Sequence, residues 1–312
     1  MLTLGFDTSN YTTSVAAFDG VGGKNCSRLL DVKPGELGLR QSDALFAHIK
    51  RLPELVDALC ASVNIGNVTA IGVSTRPRAV EGSYMPCFLA GWSQASCLAK
   101  ILNVPLYEFS HQQGHIAAAL FATGERELFE QENLVFHVSG GTTDLLLCQG
   151  AERITPLGTS QDLYAGQAVD RLGVKLGYPF PAGVYVSEQA AQCTEKVHPK
   201  VSVKGVNCSL SGLENQYTKL LAEGKDPAYV CKYCLICVAE TLTRMARAAL
   251  EGHPGLPVVF AGGVMSSDLI RTYVSARVPG ARFVPGKFAS DNAIGVSILA
   301  AREQGAWQTT SM

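Results

Sequence analysis

The chain contains one short pattern twice, and this repeat constrains its fold more than any other feature of the sequence. Residues 2–19 and 132–150 each read as an apolar strand, a polar turn rich in Ser, Thr, Gly or Asn, and a second apolar strand. Hydroxyls and successive backbone N–H groups in such turns can form a concavity for phosphate oxygens. Because the two copies open two halves of similar size, the repeat predicts a duplicated architecture.

A third glycine-bearing turn follows an apolar strand within residues 257–274. The strand ends near Gly262 and Gly263, and a helix is predicted to begin near Ser266 or Ser267, either of which can be its N-cap. The two glycines lack a Cβ, so a flat ligand can approach their backbone closely. The turn is either a nucleotide contact, which we favour, or a plain strand-to-helix connection.

Helical and strand periodicities alternate through the rest of the chain. We predict helices over residues 42–63, 88–102 and 162–177, a strand over 68–75, and an irregular stretch over 193–216. Strands and helices that alternate in two halves predict two α/β domains, with ligands bound in a central cleft.

Length and composition set the expected number of domains and the class of protein. A chain of 312 residues is too long for one ordinary core, so we predict one domain over 1–119 and another over 120–312. The last helix, about residues 291–304, is expected to pack back on the first domain. Hydrophobic residues make up 47% and charged residues 17% of the chain, which is typical of a well-packed globular protein.

Charge and hydropathy narrow the expected partners. The net charge of −1 gives no basic footprint for nucleic acid, although a local patch or a partner protein could still hold RNA. The sequence has no apolar run of about 18 residues, and its first residues lack the basic region and long apolar stretch of a signal peptide. We therefore expect a cytoplasmic protein that does not bind membranes.

Two histidines, His111 and His115, lie four residues apart at the start of a predicted helix. This spacing places both imidazoles on one helix face, where they can reach one metal ion. A metal site needs a third ligand, and the alternative is a surface or capping pair of histidines.

Ten cysteines occur in the chain, and three of them, Cys231, Cys234 and Cys237, follow a spacing of three. The spacing fits either a metal or iron–sulfur site or one buried stripe of a long helix. The apolar residues that follow favour the buried stripe.

Seven segments of the chain, in one order, resemble the motifs of a known family. They read GFDTSNYTTS, SHQQGHIAA, HVSGGTTDLLL, DLYAGQAVDRLGVKLGYPFPAG, NCSLSGLEN, FAGGVMSSDLIR and ASDNAIG. They resemble the catalytic subunit family of tRNA threonylcarbamoyladenosine synthase, formerly described as O-sialoglycoprotein endopeptidase or glycoprotease. The resemblance implies an α/β protein with the actin-like ATPase fold, two duplicated domains and a central cleft.

The resemblance also implies a set of site residues. His111, His115 and Asp291 would hold one divalent metal ion, iron or zinc, with magnesium as a further option. The first loop carries Asp7, Ser9 and Asn10. The residues expected to contact an adenylate or ATP-type nucleotide are His137, Val138, Ser139, Gly140, Gly141, Asp170, Gly183, Gly262, Gly263 and Ser267. The expected partners are an adenylate-type substrate, tRNA and proteins of the threonylcarbamoyladenosine pathway.

Three departures from the family pattern suggest a diverged paralogue. The first is at residues 10–13, which replace an acidic pair of the family's first loop. Arg76 and Arg78 occupy a segment that is glycine-rich in the family, where they either contact a phosphate or carboxylate or lie in a solvated loop. The third departure is Glu214, which replaces a Lys.

Three functions are compatible with these residues. The one we favour is metal-dependent transfer of a threonylcarbamoyl group from threonylcarbamoyl-adenylate to adenosine in tRNA, or a paralogous carbamoyl-type transfer. A hydrolase, either a peptidase or an ATPase, is the second, but Gln112 and Gln113 follow His111 without the adjacent Glu that is the general base of a zinc protease, which argues against a peptidase. The third is a non-catalytic partner subunit, against which the retained metal-ligand residues argue.

Overall fold

The computed structural model describes residues 1–9, 11–31, 39–286 and 292–305. These residues form two compact units, each built around a five-stranded sheet. The first unit contains Met1–Glu130, Gly150–Glu152 and the last described helix, and the second contains Gln131–Gln149 and the described residues from Arg153 to Gly286.

The sheet of the first unit combines an antiparallel meander with two parallel strands. Its strands, in chain order, are β1 (Leu2–Thr8), β2 (Thr12–Phe18), β3 (Gly23–Leu29), β4 (Val68–Arg76) and β5 (Leu106–Ser110). Across the sheet the order is β3-β2-β1-β4-β5, with β1 parallel to β4 and β4 parallel to β5. All residues of β1 and β2 are buried, which is the pattern of strands covered by helices on both faces.

Four helices belong to this unit: α1 (Gln41–Ser62), α2 (Phe88–Leu102), α3 (His111–Ala122) and α9 (Ile294–Glu303). Leu4, Phe6 and Ile71 pack with residues of α1 and α2 on one face of the sheet. The boundary predicted at 119/120 lies within α3, and the unit continues to Glu130 because a 3-10 turn at Arg126–Phe129 also packs against α3.

The other face of this sheet is covered by α9 at very short range. A Cβ on Gly5 would lie 2.2 Å from the carbonyl oxygen of Ala293, and a Cβ on Gly72 would lie 2.1 Å from that of Val296. Glycines therefore allow the helix backbone to rest directly on the strands.

The second sheet repeats the order of the first. Its strands are β6 (Glu132–Val138), β7 (Thr143–Gln149), β8 (Arg153–Thr159), β11 (Val258–Ala261) and β12 (Ala281–Phe283), in the order β12-β11-β6-β7-β8. As in the first unit, a three-stranded antiparallel meander is extended by two parallel strands beyond its first strand. The repeat in the sequence therefore corresponds to two copies of one sheet topology.

Helices also surround the second sheet. They are α4 (Ala165–Lys175), α5 (Gly183–Ala191), α6 (Ser211–Ala222), α7 (Pro227–Gly252) and α8 (Asp268–Ser275), with a small ladder of β9 (Ser202–Lys204) and β10 (Asn207–Ser209). The long α7 lies at the centre of the core of this unit, where 16 of its residues are buried. No helix among the described residues is both long and apolar enough to cross a membrane.

Candidate functional site

The two histidines of the metal-like motif open α3, which begins immediately after β5. Ser110 caps the helix: its hydroxyl accepts the N–H of Gln113 at 3.2 Å, and the Gln113 side chain accepts the N–H of Ser110 at 2.9 Å. This reciprocal capping box fixes the first turn, so His111 and His115 have a defined geometry. Gln113 thus caps the helix, whereas Gln112 stands where a zinc protease would carry its general base.

The Nε2 atoms of His111 and His115 lie 2.9 Å apart, and the two rings meet edge to face. Two imidazole nitrogens that bind one zinc ion at about 2.0–2.1 Å are separated by roughly 3 Å, so the observed pair fits a shared metal. The predicted third ligand, Asp291, lies outside the described residues, as does Asn10 of the first loop. Within the described part of the chain, no set of three His, Cys, Asp or Glu side chains forms a metal site.

Asp7, near the end of β1, contacts His111 from the other side of its ring. The Asp7 side chain is 1% exposed, and its Oδ2 lies 2.8 Å from Nδ1 of His111. Ser74 donates a hydrogen bond to the same oxygen, and the N–H of Ser9 donates to Oδ1 at 3.1 Å. Of the predicted first-loop residues, Asp7 therefore contacts the histidine pair directly and Ser9 holds Asp7.

A cavity of about 460 Å³ lies within the second unit. Six of the predicted nucleotide contacts line it: Ser139, Gly140, Asp170, Gly183, Gly263 and Ser267. The other four, His137, Val138, Gly141 and Gly262, do not line it. Its volume falls within the usual range for small-molecule sites, and its walls combine apolar surface with a few polar groups.

The turn between β6 and β7 is closed by its own hydroxyls. The Ser139 hydroxyl accepts the N–H groups of Gly141 and Thr142, both at 3.2 Å, and the N–H of Ser139 donates to the Thr142 carbonyl. Two of the N–H groups expected to face a phosphate are thus already bonded within the turn. The backbone of Gly140 still faces the cavity.

Two glycines bring backbone segments together beside this turn. A Cβ on Gly166, in the first turn of α4, would lie 2.6 Å from the Gly140 nitrogen. Gly262 has φ +102°, and a Cβ there would lie 2.2 Å from the Val138 carbonyl oxygen. Gly262 therefore has a packing role, whereas the following residue, Gly263, lines the cavity.

Asp170 places a carboxyl group in the cavity wall. Its Oδ1 accepts the N–H of Ala182 at 2.8 Å. Burial raises the pKa of this carboxyl above its ordinary value of 3.8, and hydrogen bonds from the backbone of Ala182 and Gly183 oppose the shift. An ionisable group held in a cavity with a raised pKa is typical of a functional site.

Ser267 directly precedes α8, where the sequence predicts an N-cap, but its side chain makes no capping hydrogen bond. The hydroxyl is buried and has no hydrogen-bond partner among the described residues. Since buried hydroxyls are nearly always bonded, this group is suited to a ligand in the cavity that it lines.

Several residues near these sites were not singled out by the sequence. Ser74 is one of several polar residues in β4, and Gly166 is one of 31 glycines in the chain, so neither stands out in the sequence. Asp162 accepts the N–H of Leu210 at 2.7 Å and the Ser211 hydroxyl at 2.5 Å, which fixes the start of α6. Ser74 could have been noticed as a hydroxyl residue within the buried part of β4.

The three spaced cysteines lie on the buried side of α7, as the helical interpretation predicted. Burial raises the pKa of Cys231 to about 12 and that of Cys237 to about 11, and it raises that of Cys234 well above 9. The three thiols are core residues of the second unit.

Comparison with known proteins decides the family. A model of the tRNA N6-adenosine threonylcarbamoyltransferase family matches residues 37–297. The chain belongs to this family. A tRNA N6-adenosine threonylcarbamoyltransferase from Pyrobaculum calidifontis is 30% identical over 84% of this chain and 76% of its own length. The protein of the same name from Rhizobium etli is 28% identical over 94% of this chain and 86% of its own length.

Solved structures identify the fold of this family member as the actin-like ATPase fold. Component A of (R)-2-hydroxyglutaryl-CoA dehydratase from Acidaminococcus fermentans superposes with a TM-score of 0.57 at 14% identity, over 98% of this chain and 99% of that one. HypF from T. kodakarensis gives a TM-score of 0.62 at 14% identity, over 99% of this chain and 48% of that one.

The structure shows the contacts of Glu214, Arg76 and Arg78, three described residues at which the sequence departs from the family pattern. Glu214 accepts a hydrogen bond from Arg171 at 2.7 Å, so the acid that replaces the family's Lys forms an ion pair on the surface of the second unit. Arg76 ends β4 beside Ser110, and its Nη1 lies 3.3 Å from the Thr75 hydroxyl. The backbone N–H of Arg78 donates to the Ser83 hydroxyl within an exposed loop.

Proposed function

We propose that this protein transfers a threonylcarbamoyl group from threonylcarbamoyl-adenylate to the exocyclic amine of an adenosine in tRNA. The observation that carries the proposal is the family match over residues 37–297. In this reaction the amine nitrogen bonds to the carbamoyl carbon, the bond from that carbon to the phosphate oxygen breaks, and adenylate and a proton are released.

The cavity of the second unit is the proposed site for the adenosine part of the adenylate. Asp170 and Ser267 supply an acceptor and a donor there, and the backbone of Gly140 and Gly263 leaves room for a flat ligand. Hydrogen bonds to a charged carboxylate contribute about 1.5–3 kcal/mol each, so Asp170 would make a large contribution to binding.

His111 and His115 are the proposed protein ligands of one divalent metal ion, iron or zinc or else magnesium, with Asp291 as the third. The support is the 2.9 Å separation of their Nε2 atoms and the carboxylate behind His111. A metal bound there would polarise acyl or phosphate oxygens. The protein holds the two imidazole rings so that their Nε2 atoms face one point.

The tRNA is proposed to bind through a local surface or through partner proteins of the same pathway, because a net charge of −1 offers no broad basic face. Arg76 and Arg78 are proposed contacts for a phosphate or carboxylate. A cytoplasmic location, as expected from the sequence, is part of the proposal.

The decisive experiment supplies the full-length protein with threonine, bicarbonate, ATP, an adenylate-forming enzyme, the pathway's partner proteins and unmodified tRNA. Nucleosides from the digested tRNA are then separated and weighed by mass spectrometry. We expect threonylcarbamoyladenosine to form with the parent protein and to disappear with His111→Ala. Asp19→Asn, at an exposed turn of the first unit, is the control that should modify tRNA normally.

The adenosine of the tRNA could remain unmodified although the adenylate-forming enzyme and the partner proteins are active. This result would contradict tRNA as the acceptor and would favour a paralogous carbamoyl-type transfer. Ser267→Ala separates binding from folding, because it removes a hydroxyl that makes no hydrogen bond to any residue the structure describes. We expect its thermal midpoint to be unchanged and its affinity for adenylate to fall roughly 2- to 10-fold.

A further inference from the structure

Asp7 is a buried acid that the proposed reaction does not use directly. It lies near the end of β1 with 1% of its side chain exposed. A carboxylate at such a position is stable only when its oxygens accept hydrogen bonds. Both do so: Oδ1 accepts the N–H of Ser9, and Oδ2 accepts the Ser74 hydroxyl and faces Nδ1 of His111.

These contacts favour one of the two neutral tautomers of His111. An ionised carboxylate can only accept, so Nδ1 at 2.8 Å from Asp7 must be the protonated nitrogen. In the neutral imidazole the lone pair then lies on Nε2. That is the atom which lies 2.9 Å from Nε2 of His115.

The corresponding position in the second copy of the repeat has a different chemistry. His137 is the next-to-last residue of β6, as Asp7 is of β1, and its Nδ1 lies 3.3 Å from the Thr142 hydroxyl of its own turn. The two copies share a topology, but the second carries a histidine at the position where the first carries an acid. The acid at Asp7 is therefore not a requirement of the hairpin fold.

We propose that Asp7, held by Ser74, is a positioning residue that fixes His111 as the Nδ1–H tautomer and directs its Nε2 lone pair toward the point shared with His115. The inference rests on the metal site of the proposed function. A carboxylate behind a metal-binding imidazole orients the ring and raises its basicity, and losing such a partner typically lowers metal affinity by about 10- to 100-fold.

The first test measures binding of cobalt(II) alone to the metal-free, full-length protein by its visible absorption. We expect Asp7→Asn to weaken binding about 10- to 100-fold and Ser74→Ala to weaken it less, because Ser74→Ala keeps the carboxylate. Asp19→Asn is the matched control: it removes a carboxylate of the same unit that accepts the N–H groups of Val21 and Gly22 in its own turn, and its affinity should equal the parent's.

The second test reads the tautomer directly, from long-range proton–nitrogen NMR spectra of metal-free protein labelled with nitrogen-15 histidine. We expect the Nδ1–H pattern for His111 in the parent and an increased share of the Nε2–H form in Asp7→Asn, whose amide can donate to Nδ1. An Nε2–H pattern in the parent would overturn the inference even if no Asp7 variant folded.

The outcomes separate this inference from the proposed function. A parent protein that binds no cobalt contradicts the proposed metal site and, with it, the role of Asp7. A parent that binds cobalt together with a folded Asp7→Asn variant of equal affinity contradicts the role of Asp7 alone, and leaves tRNA modification to be judged by its own assay.

Discussion

At neutral pH the ionised carboxyl group of Asp170 is expected to lower the stability of the folded protein and to strengthen nucleotide binding. Burial disfavours its ionised form, so its pKa is raised in the folded protein. Between the ordinary value of 3.8 and the folded pKa, the folded state binds more protons than the unfolded state. Stability contributed by this group is therefore lost as pH rises through that window, and at neutral pH the ionised carboxylate destabilises the apo protein.

Asp170→Asn should accordingly be as stable as the parent or more stable at neutral pH, with the difference disappearing below about pH 3.8. The Asn oxygen can still accept the N–H of Ala182. Affinity for adenosine monophosphate should nevertheless fall roughly 10- to 100-fold, because a charged acceptor is lost. Urea unfolding and calorimetric titration measure the two effects, and unchanged affinity would exclude Asp170 from the nucleotide site.

His48 makes the stability of the first unit sensitive to acid. It is fully buried, with Nδ1 2.8 Å from the Thr13 hydroxyl, and burial lowers its pKa from 6.5 to about 4. Between these values the unfolded chain binds a proton that the folded protein excludes, so stability falls as pH decreases from 6.5 toward 4.

Replacing His48 with Gln should remove this contribution. The unfolding free energy of the parent, relative to that of His48→Gln, should decline between pH 6.5 and about 4 by at most about 1.4 kcal/mol per pH unit. Urea titrations of both proteins across this range provide the measurement. Parallel curves would show that His48 does not cause the acid sensitivity.

At the scale of elements, the turn after β11 depends on the backbone of one glycine. Gly262 has φ +102° and a Cβ there would lie 2.2 Å from the Val138 carbonyl oxygen, whereas a Cβ on Gly263 would contact nothing within 4 Å. Gly262→Ala should destabilise the second unit by on the order of 1–3 kcal/mol or more, since both backbone strain and a clash result. Gly263→Ala is the neighbouring control.

Chemical unfolding of the two alanine variants tests this difference, with Gly263→Ala expected near the parent value. Equal destabilisation of both variants would show that loss of glycine itself, and not the position of Gly262, causes the effect.

Helices with a strong apolar periodicity were predicted correctly from the sequence, whereas strands with an exposed or irregular pattern were not. The helix predicted over 88–102 is α2, and that over 42–63 is α1 within a residue at each end. By contrast, β3 is an exposed edge strand without apolar alternation, and β8 contains Pro156 next to a register shift. Neither carries the periodicity by which a strand is recognised.

The candidate site shows a similar division. The spacing of His111 and His115 was sufficient to predict that the rings converge. The contact of Asp7 with His111 joins residues 104 positions apart, and no local pattern encodes it. Ser267 was predicted both as a possible helix N-cap and as a nucleotide contact; its side chain makes no capping hydrogen bond, and the residue lines the cavity.

At the scale of the whole molecule, the histidine pair belongs to the first unit and the nucleotide-sized cavity to the second. A ligand stabilises the state that it binds by about 2.7 kcal/mol at a hundredfold excess over its Kd. Adenosine monophosphate should therefore slow amide hydrogen exchange around residues 139–142, 166–170 and 263–267. Removal of metal by a chelator should speed exchange around 7–9 and 110–116.

Mass spectrometry of peptides after exchange distinguishes the two responses. Protection by the nucleotide confined to the first unit would contradict the assignment of the cavity. An unchanged exchange rate around 110–116 after chelation would contradict the assignment of the metal.

The close seat of α9 on Gly5 and Gly72 also dictates an order of assembly during protein synthesis. The first unit contains the earliest residues of the chain, yet the helix that covers one face of its sheet is α9, at Ile294–Glu303. The described residues of the second unit all precede α9 in the chain. On the ribosome, the place of α9 on the N-terminal sheet therefore stays unfilled until residue 303 has been synthesised, and the unit whose strands are made first is completed last.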